Sequence, residues 1–92
     1  MNKKESYKLV QNSLEGRVLE YKLLESKLSK EKDIFYGIKL SLKSQKINEE
    51  IIIDRISQDK SVAEDLLEYL YENSVDTIHF KDIVDDYMSL IK

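Results

Sequence analysis

The segment from residue 36 to residue 43 constrains the fold of this chain more than any other part of its sequence. Every second residue is apolar, and small or charged residues stand between them. The apolar positions are Tyr36, Ile38, Leu40 and Leu42, and the others are Gly37, Lys39, Ser41 and Lys43. Because side chains alternate between the two faces of a strand, this pattern predicts an antiparallel sheet with one apolar face and one solvent-exposed face. The glycine inside the strand predicts a bulge or a close backbone approach.

Two weaker patterns flank this strand and complete a predicted β-meander. Apolar residues recur at period two between Leu14 and Glu25, although the leucine, glutamate and lysine content there is also compatible with a helix. A third strand is predicted from about Ile47 to Ile56, because the run Ile51-Ile52-Ile53 is β-branched.

Two acidic helices are predicted after the sheet. Ser61 and Glu64 have the spacing of a capping box, and Asp59 is a rival N-cap. Apolar residues at helical spacing then extend the first helix to about Glu72, and a second stripe predicts a helix from about His79 to the C-terminus.

These elements define an α+β fold, a three-stranded antiparallel β-meander followed by two C-terminal helices packed on one face. Residues 1–13 are polar and weakly patterned, which predicts a flexible or short helical N-terminal arm. Residues 14–92 are expected to form a single α+β domain. The predicted core consists of Leu19, Tyr21, Leu23, Tyr36, Ile38, Leu40, Ile51, Ile53, Leu66, Leu67, Leu70, Ile83, Val84 and Tyr87.

Composition narrows the setting in which such a chain works. Its 92 residues suffice for one domain, and 41% of them are apolar, too many for a disordered chain. It has no cysteine, so neither a disulfide framework nor a thiolate metal site is available. The N-terminus lacks the apolar stretch of a signal peptide, and the longest apolar runs are too short to cross a membrane. We therefore expect a cytoplasmic protein that does not bind membranes.

Charge is distributed unevenly along the chain. Residues 1–48 carry 11 basic and 6 acidic side chains, a net charge of +5, whereas residues 49–92 carry 4 and 12, a net charge of −8. The favoured interpretation is that basic strands and acidic helices attract each other within the fold. The alternative is a molecule with two surfaces of opposite charge for different partners.

The sequence offers little for catalysis or for cofactor binding. The single histidine, His79, stands three and seven residues before Asp82 and Asp86, a spacing that could bring one nitrogen and two carboxylates to one helix face. A metal site needs further converging ligands, so a local structural role for this histidine is favoured. Adjacent acids such as Asp85-Asp86 point in different directions, and there is no glycine-rich phosphate loop. We expect no enzyme activity, no cofactor and no metal.

The solvent-exposed face of the predicted sheet is the candidate interaction face. It would carry three apolar and three basic residues, namely Val18, Leu24, Phe35, Lys22, Lys39 and Lys43. An uncovered apolar group favours contact with a protein partner of unknown identity or with a second copy. Basic side chains around an aromatic ring are also typical of proteins that bind single-stranded nucleic acid. The acidic net charge of −3 makes this the second interpretation.

Four segments of the chain form a recognisable combination, namely residues 21–25 (YKLLE), 36–38 (YGI), 54–59 and above all 75–86 (VDTIHFKDIVDD). They resemble a family of small uncharacterised domains from low-GC, spore-forming anaerobic bacteria, and the resemblance covers about residues 15–90. It implies a bacterial cytoplasmic protein and no particular activity. Together with the residue pattern it predicts a small non-enzymatic regulator or adaptor that acts through protein–protein contacts, including an inhibitor or helper encoded by a mobile element. The alternative is an accessory protein that binds nucleic acid through the basic sheet face.

Overall fold

Within the part of the chain that the structure describes, the fold consists of one four-stranded antiparallel sheet and two helices. The computed structural model describes residues 2–12, 16–27 and 33–90. The elements in chain order are β1 (Asn2–Asn12), β2 (Val18–Lys27), β3 (Ile34–Lys43), β4 (Asn48–Ser57), α1 (Lys60–Glu72) and α2 (Phe80–Leu90). The strands lie in the order β1-β2-β3-β4, so each pairs with its neighbour in sequence. The predicted α+β class, with an antiparallel meander before two helices, is confirmed.

The predicted number of strands is wrong, because the segment expected to be an arm forms the edge strand β1. The pairing of β1 with β2 shifts at Ser6, since Glu5 lies opposite Leu24 and Tyr7 opposite Leu23. This bulge interrupts the alternation of side chains, so the segment shows no regular period of two in sequence. Edge strands also commonly carry lysines that discourage pairing with other chains, and these made the segment resemble a polar terminus. Residues 1 and 13 of the predicted arm lie outside the described residues.

Gly37 sits where the backbones of β3 and β4 come unusually close. A Cβ atom at this position would lie 2.4 Å from the carbonyl oxygen of Ile53. The register between the two strands shifts here, between Tyr36 and Ile38, and Arg55 in the irregular part of β4 has a φ of 55°. The bulge and the close approach that the glycine predicted are both confirmed.

The core lies between one face of the sheet and the helices. Tyr21 and Leu23 of β2 and Ile38 and Leu40 of β3 are completely buried there. Helix α1 contacts all four strands, while α2 packs mainly on α1. All fourteen predicted core residues belong to this cluster or pack against it, and the cluster also includes Ala63, Val75 and Phe80.

The helix boundaries follow from local hydrogen bonds. Asp59 caps α1, because its carboxylate accepts hydrogen bonds from the backbone N–H and the hydroxyl of Ser61 at 3.0 and 2.7 Å. Of the two rival N-caps that the sequence predicts, Asp59 is therefore the one that the structure has. After Asn73, Ser74 adopts a φ of 51°, and the Val75 N–H donates to the carbonyl of Leu70. No helix within the described residues has the length and apolarity to cross a membrane.

Candidate interaction surfaces

The six predicted interaction residues lie together on the face of the sheet that points away from the helices, here called the open face. Val18 pairs with Lys43, and Lys22 with Lys39. Leu24 lies opposite Gly37 on the neighbouring strand. Phe35 follows at the end of the same row, opposite Ser26. Since the intervening residues of both strands pack against the helices, side-chain alternation assigns all six to the open face.

Glu5 of β1 neutralises two of the three predicted lysines. Its carboxylate oxygens lie 3.4 Å from the Lys22 Nζ and 3.2 Å from the Lys39 Nζ. Lys39 also lies 3.3 Å from a carboxylate oxygen of Glu50. The hydrogen bond from Lys39 is the main cause of a lowered pKa for Glu5, and the same contact raises the pKa of Lys39.

Glu20 forms the second centre of opposite charge on the open face. Its two carboxylate oxygens lie 3.0 Å from the Lys43 Nζ and 3.5 Å from the Lys8 Nζ. The hydrogen bond from Lys43 is the largest cause of the lowered pKa of this carboxyl. These contacts and those around Glu5 form two groups of ion pairs on the open face, together called the ion-pair ladder. Sequence reasoning missed Glu5 and Glu50 because strand pairing alone brings them to these lysines.

The apolar residues predicted on the open face are partly covered by their neighbours. Leu24 is only 3% exposed, and it lies beside the glycine that pairs with it. The guanidinium carbon of Arg55 lies 5.5 Å from the centre of the Phe35 ring, a cation–π distance. Val10 and Ile52, which the sequence did not single out, are more exposed on this face. The open face is thus a charged surface with scattered apolar side chains.

A second surface, which sequence reasoning did not identify, lies on the helical layer. Five side chains line an open groove of about 290 Å³ between the helices, namely Tyr69, Ile83, Asp86, Tyr87 and Leu90. The rings of Tyr69 and Tyr87 lie 5.6 Å apart at an angle of 32°. Leu90 is 85% exposed and Tyr69 is 39% exposed. We call this feature the helix groove.

Two of the groove residues, Ile83 and Tyr87, are among the predicted core residues, whereas the sequence pattern does not single out Tyr69 or Leu90. Ile83, Tyr87 and Leu90 follow one another at helical spacing, and such a stripe normally faces a protein interior. Because α2 packs on α1 and not squarely on the sheet, part of its stripe reaches solvent. Whether such a stripe is buried or exposed depends on the direction in which α2 packs. The sequence does not reveal that direction.

The helical layer is strongly acidic. Residues 60–90 contain two basic residues, Lys60 and Lys81, and eight acidic residues, which gives a net charge of −6. Lys60 lies 3.9 Å from Glu25 of the sheet, so an ion pair does link the two layers. The shorter ion pairs described above lie within the sheet, where the lysines of the strands contact glutamates of neighbouring strands. The link between the layers joins a helix lysine to a strand glutamate, which is the reverse of the predicted attraction between basic strands and acidic helices.

The residues considered for a metal site do not form a described cluster. His79 is exposed just before α2, and its backbone carbonyl accepts a hydrogen bond from the Ile83 N–H. Among the residues that the structure describes, no group of three or more histidine, aspartate or glutamate side chains is arranged to hold a metal ion.

Comparison with known proteins identifies the family of this chain. The model of a family of unknown function, DUF6514, matches residues 1–90 of the chain. No curated protein matches the chain. No solved structure matches it either.

Proposed function

We propose that this chain, which belongs to the DUF6514 family of unknown function, is a small non-enzymatic adaptor or regulator that acts by binding another protein. The observation that carries the proposal is the helix groove. Its apolar side chains reach solvent, with Leu90 85% exposed, on a layer whose net charge is −6. Exposed apolar patches with a polar surround are typical of protein–protein contact sites.

The shape of the groove supports a binding role over catalysis. Ligand and active-site pockets are mostly enclosed clefts of about 300–1,000 Å³ with converging polar groups. The helix groove is open to solvent, and among the described residues that line it Asp86 is the one carboxylate. Two tyrosines and two aliphatic side chains suit the anchoring of a partner's side chain.

Nucleic-acid binding through the open face has less support. Binding to phosphates requires lysines whose charge is available. Lys22 and Lys39 are mostly covered, with side chains 17% exposed, and each contacts Glu5. A phosphate would have to displace a carboxylate that already occupies this position.

The setting that we propose is the cytoplasm of a low-GC, spore-forming anaerobic bacterium. The test is a pull-down with the tagged full chain from the lysate of such a host, with and without nuclease. A groove variant, Tyr69→Ala with Leu90→Ser, is compared with a sheet-face variant, Phe35→Ala with Lys43→Glu. We expect a protein partner that survives nuclease treatment, is depleted by the groove variant and is retained by the sheet-face variant.

Two other results would point elsewhere. A partner lost only with the sheet-face variant would move the contact to the predicted residues of the open face. Recovery that disappears with nuclease would favour the nucleic-acid alternative. Circular dichroism checks that both variants fold. The groove variant is expected to fold because Tyr69 and Leu90 are exposed.

A further inference from the structure

The helix groove has an acidic rim on both of its sides. Asp86 lies in the groove itself, and Asp82 stands one helical turn before it on α2. On α1, Asp65 and Glu72 stand one turn before and one turn after Tyr69. All four carboxylates are exposed. An apolar groove between acidic borders selects a partner with apolar anchors and positive charge.

The tyrosine pair adds a second preference for cations. A lysine or arginine placed over the face of a tyrosine ring gains a cation–π interaction, and an adjacent carboxylate strengthens such a contact. The rings of Tyr69 and Tyr87 lie 5.6 Å apart beside Asp86, so one cation could reach both a ring face and a carboxylate. The helix groove therefore offers a place for a basic side chain as well as for aliphatic ones.

The length of the groove fits a short helical segment. Its α2 side chains extend from Ile83 to Leu90, a separation of seven residues that spans about 10 Å at the rise of an α-helix. Partner helices bind such grooves with apolar residues at positions i, i+3 or i+4, and i+7, which cover the same distance.

The same charges disfavour a second copy of the chain in this position. Two helical layers facing each other would each bring a net charge of −6 to the contact. Like charges placed face to face in an interface cost binding energy. An anionic membrane surface is disfavoured for the same reason.

We infer that the helix groove binds a basic amphipathic helix of a partner protein, with aliphatic residues between Tyr69 and Leu90 and basic residues against the acidic rim. This inference rests on the proposed function and specifies the chemistry of the partner at the same site.

The test uses the full chain and a defined probe. The probe is a fluorescein-labelled peptide of leucine and lysine, about 14 residues or four helical turns long, with leucines at helical spacing. A peptide in which glutamate replaces lysine serves as the matched control. Fluorescence anisotropy at low and at high salt measures binding to the wild-type chain and to three variants.

The three variants separate the apolar and the charged parts of the groove. The groove variant, Tyr69→Ala with Leu90→Ser, is expected to weaken binding about tenfold or more, because exposed anchors carry most of the affinity. The rim variant, Asp82→Asn with Asp86→Asn, is expected to weaken binding at low salt and to flatten its salt dependence. The control variant, Asp33→Asn with Glu50→Gln, removes the same charge from the sheet and is expected to bind as the wild type does.

The inference is overturned if the leucine–lysine peptide shows no saturable binding. It is equally overturned if the control variant loses as much affinity as the rim variant, or if the glutamate peptide binds as tightly. Loss of peptide binding with an intact, groove-dependent partner in the pull-down would reject the basic helix and keep the proposed function. A partner insensitive to the groove variant would reject the helix groove as the contact site of the proposed function.

Discussion

The charges on the two outer surfaces of this domain are arranged in opposite ways. On the open face of the sheet, lysines and glutamates of different strands neutralise one another through the ion-pair ladder, at distances of 3.0–3.5 Å. On the helical layer, acidic residues outnumber basic ones by eight to two. The helix groove, with its exposed leucine and tyrosine, lies on this second surface.

The contrast explains why a count of charges along the chain is a poor guide to binding surfaces. The basic first half suggested a cationic sheet face, but pairing with β1 and β4 supplies that face with its own carboxylates. A surface whose charges neutralise one another needs no partner. A layer with excess charge and exposed apolar side chains gains binding free energy from a partner that covers them. Stability should therefore depend on the covered face, and association on the helical layer.

The largest expected effect separates the covered face of the sheet from the open face. Ile38→Ala removes a completely buried side chain and should lower the free energy of unfolding by about 2–5 kcal/mol. Ile52→Ala makes the same change on the open face, where the side chain is 43% exposed, and should cost about 1 kcal/mol or less. Urea unfolding of both variants measures the difference. Equal losses would mean that the open face is buried in solution, for instance by another chain.

A smaller effect is expected from the hydrogen bond that ties the sheet to the segment after α1. The hydroxyl of Tyr21 donates to the backbone carbonyl of Val75 at 2.8 Å, and both residues are buried. Tyr21→Phe leaves this carbonyl without its donor and should cost about 1–3 kcal/mol. Tyr69→Phe, at an exposed tyrosine in the helix groove, should change stability by less than about 0.5 kcal/mol.

The same tyrosine makes a pH-dependent contribution to stability. Burial raises the pKa of Tyr21 from its ordinary value of 10.0 to about 12. A raised pKa in the folded state means that the contribution is complete below pH 10 and is lost as the pH rises from 10 to 12. The difference in unfolding free energy between the wild type and Tyr21→Phe should therefore shrink over this interval. A constant difference would contradict the buried hydroxyl.

The parts of the fold that the sequence predicted are those that bury a regular apolar pattern. Strand β3 alternates without interruption, and both Ile38 and Leu40 are buried as expected. Gly37 was predictive because only the absence of a Cβ permits the approach to Ile53. A pattern of this kind is readable in sequence because it reflects the contacts of one strand with the core.

The parts that the sequence did not reveal depend on partners that are distant along the chain. Strand β1 contributes mostly pairing and ion pairs, and its bulge at Ser6 hides its period. Glu5 meets Lys39 across 34 residues of sequence, a contact that no local pattern encodes. The same holds for the helix groove, because the stripe of α2 does not specify how much of it the sheet and α1 cover.

The smallest expected effect concerns the ion-pair ladder itself. Glu20→Gln keeps the shape of a side chain that contacts both Lys8 and Lys43, and it removes the charge. We expect a loss below about 1 kcal/mol at neutral pH and low salt, because charges near solvent are screened. The lowered pKa of Glu20 gives the sign of the pH effect. Its contribution is present above the ordinary carboxyl value of 4.5 and is lost as the pH falls through the lower value of the folded state.

A double-mutant cycle of Glu20→Gln with Lys43→Met isolates the pair, and acid unfolding of the same four proteins checks the pH dependence. A coupling energy that is favourable at low salt and fades in 1 M salt is the behaviour of a self-neutralised surface. No coupling at low salt would mean that Glu20 does not hold Lys43. That lysine would then be available to an anionic ligand, and the distinction between the two surfaces would no longer hold at this end of the sheet. The difference between the two surfaces thus depends on the ion pair between Glu20 and Lys43. This pair contributes little to stability but determines whether the open face presents charge to other molecules.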